Sequence, residues 1–240
     1  MNLKKIIIPA VCSIYLFQTS NAQQHHPRDW DEIDTAGIIS ADTTQKKGFK
    51  LIVINKSPGF SQTTINRLKE TFYNVYPKEV KTYNKNSLKE VVFLIDPAYD
   101  GVAATAGKTV RYNPQWLIKN PEDIDVVTHE VMHIVQGYGG GSGPGWVTEG
   151  IADYVRYRFG VNNDAAKWSL TPFKDTQSYT NAYRITARFL VWIEKKYNKN
   201  FVIKLDKAMR DHTYNDDIWK LNGGKTLNEL WSAYAANPVI

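Results

Sequence analysis

The chain has 240 residues, 42% of them hydrophobic, a formal charge of +6 and a single cysteine, Cys12. That length suits one domain with a buried core, and one cysteine excludes a disulfide-stapled scaffold. Lys and Arg are spread along the sequence apart from a short Gln45-Lys46-Lys47 patch, so no basic stripe of the kind that tracks nucleic acid is present.

Residues 1–22 have the three parts of a secretory signal peptide. Lys4 and Lys5 precede an apolar run from Ile6 to Phe17, and Ser20-Asn21-Ala22 offers small residues at a cleavage site. The run is about a dozen residues, shorter than a membrane span, so membrane insertion is not expected. Cleavage after Ala22 removes Cys12 together with Lys4 and Lys5, lowering the formal charge to +4. The product is expected in the periplasm or outside the cell, as a monomer.

Residues 23–47 have little periodicity and read as an extended leader. The domain proper is expected over 48–240. Lys50-Leu51-Ile52-Val53-Ile54 and Glu90 to Ile95 are β-rich runs bounded by turn residues. Between them Ile65, Leu68, Phe72, Val75 and Tyr76 have helical spacing, with Ser61 or Thr63 as cap, which predicts a β-α-β start. Val102 to Ala106 and Thr109 to Tyr112 form a predicted hairpin, and the second of its strands is a candidate edge for pairing with an extended substrate. From Pro121 onward the pattern is helical, at about 122–137, 147–158, 180–197, 200–210 and 226–236. Gly139 to Gly145, with five glycines, separates the first two of these helices. The expected fold class is α+β, a small mixed sheet packed on a helical C-terminal subdomain.

The chemistry concentrates on either side of that glycine-rich turn. His129-Glu130-Val131-Met132-His133 places two imidazoles one helical turn apart on one face, as a zinc ion requires, while Ile124, Val126, Val127, Val131, Ile134 and Val135 supply apolar faces. Glu130 lies about 100° round the helix, where it can take a proton from zinc-bound water and pass it to a leaving amine. A catalytic zinc takes a third protein ligand and keeps one position open. Glu149, sixteen residues after His133, is assigned that place, with Asp153 one turn later accepting a hydrogen bond from the outer nitrogen of a liganding histidine. The reverse, Asp153 on zinc, stays open on spacing alone. His25, His26 and His212 read as surface residues.

His129 through Gln136, the Gly-Pro-Gly-Trp turn, Glu149 to Arg156, Tyr183 to Leu190, Met209-Arg210 and Lys225 to Trp231 together resemble the basic secretory protein family of plants and bacteria, over most of residues 50 to 236. The resemblance implies a zincin-like fold of the Glu-ligand type and zinc-dependent peptidase activity, and it supplies no firm substrate; the expected partner is a peptide or protein, with a glycoprotein as one alternative. Tyr183 and Arg188 stand in a matching segment. Tyr183 is the candidate for stabilising the oxyanion, against the alternative of an ordinary aromatic core residue. Two rival functions are a degenerate zincin-like module that binds protein or glycan around a structural metal, and zinc-dependent hydrolysis of a non-peptide bond.

Overall fold

A computed structural model describes residues 33–240; the expected signal peptide and the first part of the expected leader lie outside the described residues. Five strands form one sheet in the order β1-β2-β3-β5-β4, where β1 is Ser40–Lys46, β2 Phe49–Asn55, β3 Glu90–Ile95, β4 Ala103–Ala106 and β5 Thr109–Tyr112. β2 and β3 are parallel and joined by helix α1 (Gln62–Thr82), as the β-α-β pattern predicts. β5 runs parallel to β3, and β4 returns antiparallel to β5.

Two sequence expectations for the sheet need correction. Ser40–Lys46, placed in the leader, is an edge strand paired along its whole length with β2. Its side chains are almost all exposed and polar, so alternation carries no signal there, and pairing comes from the β2 backbone. The turn into β2 is Lys47-Gly48, both with positive φ (53° and 80°), which suits a tight hairpin. The candidate substrate-pairing strand is also reassigned. Thr109–Tyr112 is interior, bonded on both sides, and the free edge belongs to β4.

Helix α1 runs past Pro77 to Thr82, beyond the Tyr76 expected as its end. Proline removes the N–H that would bond the carbonyl four residues earlier. That carbonyl, on Tyr73, instead accepts from Lys47 Nζ at 2.9 Å. Phe72 and Tyr76 then stack at 4.9 Å and pack edge-on against Phe93 and Phe49, pinning α1 to the sheet.

The helical half comprises α2 (Pro114–Lys119), α3 (Val126–Gln136), α4 (Gly145–Phe159), α5 (Tyr183–Lys196), α6 (Phe201–Arg210), α7 (Asp217–Gly223) and α8 (Leu227–Ala236). The short α2 and α7 escape periodicity, although Asn113-Pro114 is a cap followed by an N1 proline. α3 begins at Val126 rather than 122 because the acidic stretch before it is engaged elsewhere. Glu122 pairs with Arg67, and the Asp125 carboxylate accepts from the backbone of Val161 and Asn162. α3 closes at Gly137 (φ 54°), and the chain turns into α4 with Gly143 (φ 151°) packed so tightly that a Cβ would meet Met209 Sδ at 2.2 Å. At Gly150 a Cβ would lie 2.3 Å from Thr186 Cγ2, so glycine lets α4 and α5 approach closely. No helix among the described residues is long and apolar enough to cross a membrane.

Candidate metal centre

α3 and α4 present His129, His133 and Glu149 to a common point, with one ligating atom from each lying within 4.8 Å of the others. The two Nε2 atoms are 3.2 Å apart, and Glu149 Oε2 lies 3.1 Å from His129 Nε2 and 3.6 Å from His133 Nε2. Zinc bonds of about 2.0–2.1 Å in a tetrahedron imply ligand separations of roughly 3.3–3.4 Å, close to these three edges.

The outer nitrogens explain why the inner ones converge. His129 Nδ1 donates to Asp153 Oδ1 at 2.7 Å, and His133 Nδ1 donates to Gln136 Oε1 at 2.7 Å. With its outer nitrogen carrying a proton, each neutral imidazole directs the Nε2 lone pair inward, as a metal ligand must. Two lone pairs and a carboxylate oxygen facing one point call for a cation. A protonated His129 would meet the same demand, and its surroundings favour that proton. Burial opposes a charge on His129, but hydrogen bonds to Asp153 and Glu149 outweigh it and raise its pKa to about 10. Burial likewise raises the Glu149 pKa, yet the hydrogen bond to a protonated His129 and the nearby His133 ring hold it well below the usual carboxylate range. The donor set therefore fits a zinc ion.

Asp153 lies on the outer side of His129, so the two carboxylates that spacing left open occupy different places: Glu149 faces the two Nε2 atoms and Asp153 meets the outer nitrogen of His129. Glu130 is buried beside the cluster, and its Oε2 accepts from the Thr105 hydroxyl at 2.7 Å. Thr105 belongs to the edge strand β4, so sheet and metal helix are joined at this carboxylate.

Tyr183 is not a core residue. It is 54% exposed, its ring parallel to that of His129 with centroids 6.0 Å apart. The helix expected over 180–197 is interrupted just before it: a 3-10 turn at Tyr179–Asn181 leads into Ala182 (φ 61°, ψ −171°) and Tyr183 (φ 48°), and α5 starts only there. Ala182 thus occupies a region that is essentially reserved for glycine. Arg188, weighed with Tyr183, is turned away and donates to the Pro238 carbonyl. His212 packs against Gly139, and His25 and His26 lie outside the described residues.

Gln136 and Thr105, which touch His133 and Glu130, are the positions beside the cluster that motif spacing missed. Gln136 sits three residues after His133 on the same helix, a spacing that could have indicated it. Thr105 had no local signal. A cavity of about 1550 Å³ opens over the cluster, lined by β4, Tyr99, Trp116, Trp168, Tyr183 and Arg184 among others.

A mixed sheet whose edge strand abuts a His-Glu-x-x-His helix, followed by a helix bearing a glutamate, defines the zincin-like class. The described fold is similar to a mutant two-domain M1 zinc metallopeptidase bound to L-tryptophan, with a TM-score of 0.51 and 13% identity over 84% of this chain and 52% of that one. It is similar also to an M1 zinc metallopeptidase from Deinococcus radiodurans, with a TM-score of 0.50 and 9% identity over the same shares. This chain spans about half the length of those proteins, and at such identities the likeness concerns the fold. No curated protein sequence matches it. The family model described as peptidase of plants and bacteria matches residues 38–234, and the chain belongs to that family.

Proposed function

We propose that the protein is an exported zinc peptidase that hydrolyses peptide bonds with Glu130 as general base. The observation that carries this reading is the triangle of His129, His133 and Glu149 with a second carboxylate, Glu130, held beside it rather than in it. A purely structural site has no use for that extra base and usually closes its fourth position. Export rests on the signal-peptide pattern of residues 1–22.

His129, His133 and Glu149 would hold the zinc, which when bound would supply the Lewis acidity that lowers the pKa of water and polarises a carbonyl. Glu130 takes the proton from the attacking water and delivers it to the leaving amine nitrogen. The Thr105 hydroxyl donates to one carboxylate oxygen of Glu130 and so fixes the plane of that base. Tyr183 donates its phenolic proton toward the oxygen on which negative charge develops. The Glu149 carboxylate, aided by partial burial, raises the Tyr183 pKa, so the phenol stays protonated and able to donate. An extended substrate pairs with the free edge of β4, which places its backbone alongside Glu130. The cavity exceeds the roughly 300–1,000 Å³ usual for small-molecule sites, in keeping with a polymeric substrate.

The purified protein should degrade unfolded casein, stop when a chelator strips the metal, and recover with zinc in preference to magnesium or calcium. Proteolysis that is indifferent to the chelator would rule the proposal out.

The strained entry to α5 gives a second test. Glycine at position 182 removes the Cβ from a conformation costing about 1–3 kcal/mol for other residues. Ala182→Gly should therefore raise the unfolding midpoint in urea by the equivalent of about 1 kcal/mol while lowering kcat, because Tyr183 is held less firmly over His129. A variant that is both more stable and equally active would show that the strain has no part in positioning Tyr183.

A further inference from the structure

Gln136 is the last residue of α3, and it is buried with both ends of its side-chain amide engaged. Oε1 accepts from His133 Nδ1 at 2.7 Å, while Nε2 donates to the Thr148 carbonyl at 2.9 Å. Because the amide nitrogen is committed to an acceptor, the oxygen must face the imidazole, and His133 must carry its proton on Nδ1. Thr148 immediately precedes Glu149, so one side chain connects a histidine of the cluster to the backbone beside its carboxylate. The connection runs across a turn rich in glycine.

We propose that Gln136 is a positioning residue that brings His133 and Glu149 into register, selecting the tautomer of the first and anchoring the backbone of the second. The proposal rests on the zinc reading of the cluster. A glutamate cannot perform both tasks: its carboxylate would accept from His133 yet oppose the Thr148 carbonyl and add negative charge near Glu149. His129 has a different brace, the Asp153 carboxylate, which stands one turn beyond Glu149 in α4. The two histidines therefore respond differently to mutation.

The test uses Gln136→Met and Gln136→Glu, with two readouts. Long-range proton–nitrogen spectra of the metal-free protein at alkaline pH report the tautomer of His133, and competition with a chromophoric chelator reports the zinc Kd. In Gln136→Met the preference for the Nδ1–H tautomer of His133 should be lost, with that of His129 kept, and the zinc Kd should rise about 10- to 100-fold. In Gln136→Glu the His133 tautomer should be kept while the Kd still rises, because the anchor at Thr148 is gone. An unchanged Kd in either variant, or an unchanged His133 tautomer in Gln136→Met, overturns the proposal. If Gln136→Met does not fold, the Kd of Gln136→Glu decides alone. Wild-type protein that binds no zinc, with His133 still in the Nδ1–H form, would instead overturn the zinc reading.

Discussion

Glu130→Gln should bind zinc as the wild type does and lose nearly all peptidase turnover, with kcat/KM reduced about 10²- to 10⁴-fold. The amide keeps the shape of the carboxylate, and its oxygen still accepts from the Thr105 hydroxyl that now lies 2.7 Å from Glu130 Oε2. Packing around this buried position is thus preserved. What is lost is the ability to accept a proton from water and return it to the leaving nitrogen. The loss belongs in kcat with KM little changed, since the carboxylate acts on the transition state rather than on substrate binding. The measurement is steady-state cleavage of a casein-derived reporter peptide alongside metal content. Equal turnover in the variant would remove Glu130 from the mechanism and with it the proposed reaction.

Glu149→Gln and Asp153→Asn should differ sharply in zinc affinity, and the order of the two decides which carboxylate is the ligand. Glu149 Oε2 faces both Nε2 atoms, at 3.1 and 3.6 Å, whereas Asp153 Oδ1 meets only the outer Nδ1 of His129. Neutralising Asp153 removes a hydrogen-bonding brace and is expected to weaken zinc about 10- to 100-fold. Neutralising Glu149 removes an anionic donor from the centre and should cost more than that. A chelator competition titration of both variants measures the order. Weaker binding in Asp153→Asn than in Glu149→Gln would invert the assignment made from the geometry.

Legibility in the sequence followed the range of the interactions. His129, Glu130 and His133 were readable because one helical turn sets their relation, and the backbone alone delivers both imidazoles to one face. β2, α1 and β3 were readable because buried faces impose periodicity on residues such as Phe72, Tyr76 and Phe93. β1 was not, because an exposed polar edge strand has nothing to bury. The continuation of α1 past Pro77 was hidden for another reason. It depends on Lys47, far away in the chain, taking the carbonyl that proline leaves free.

The sequence by itself determined the donor types, the helix that carries two of them, and the family. Tertiary structure decided that Glu149 Oε2 faces both Nε2 atoms while Asp153 meets the outer nitrogen of His129, although the two residues lie one turn apart on the same helix and are equivalent by spacing. It also decided that Gln136 braces His133, that Thr105 orients Glu130, and that Tyr183 stands over His129 rather than in the core. Each of these contacts joins side chains from different elements or turns on the rotamer of one, and local periodicity carries information about neither.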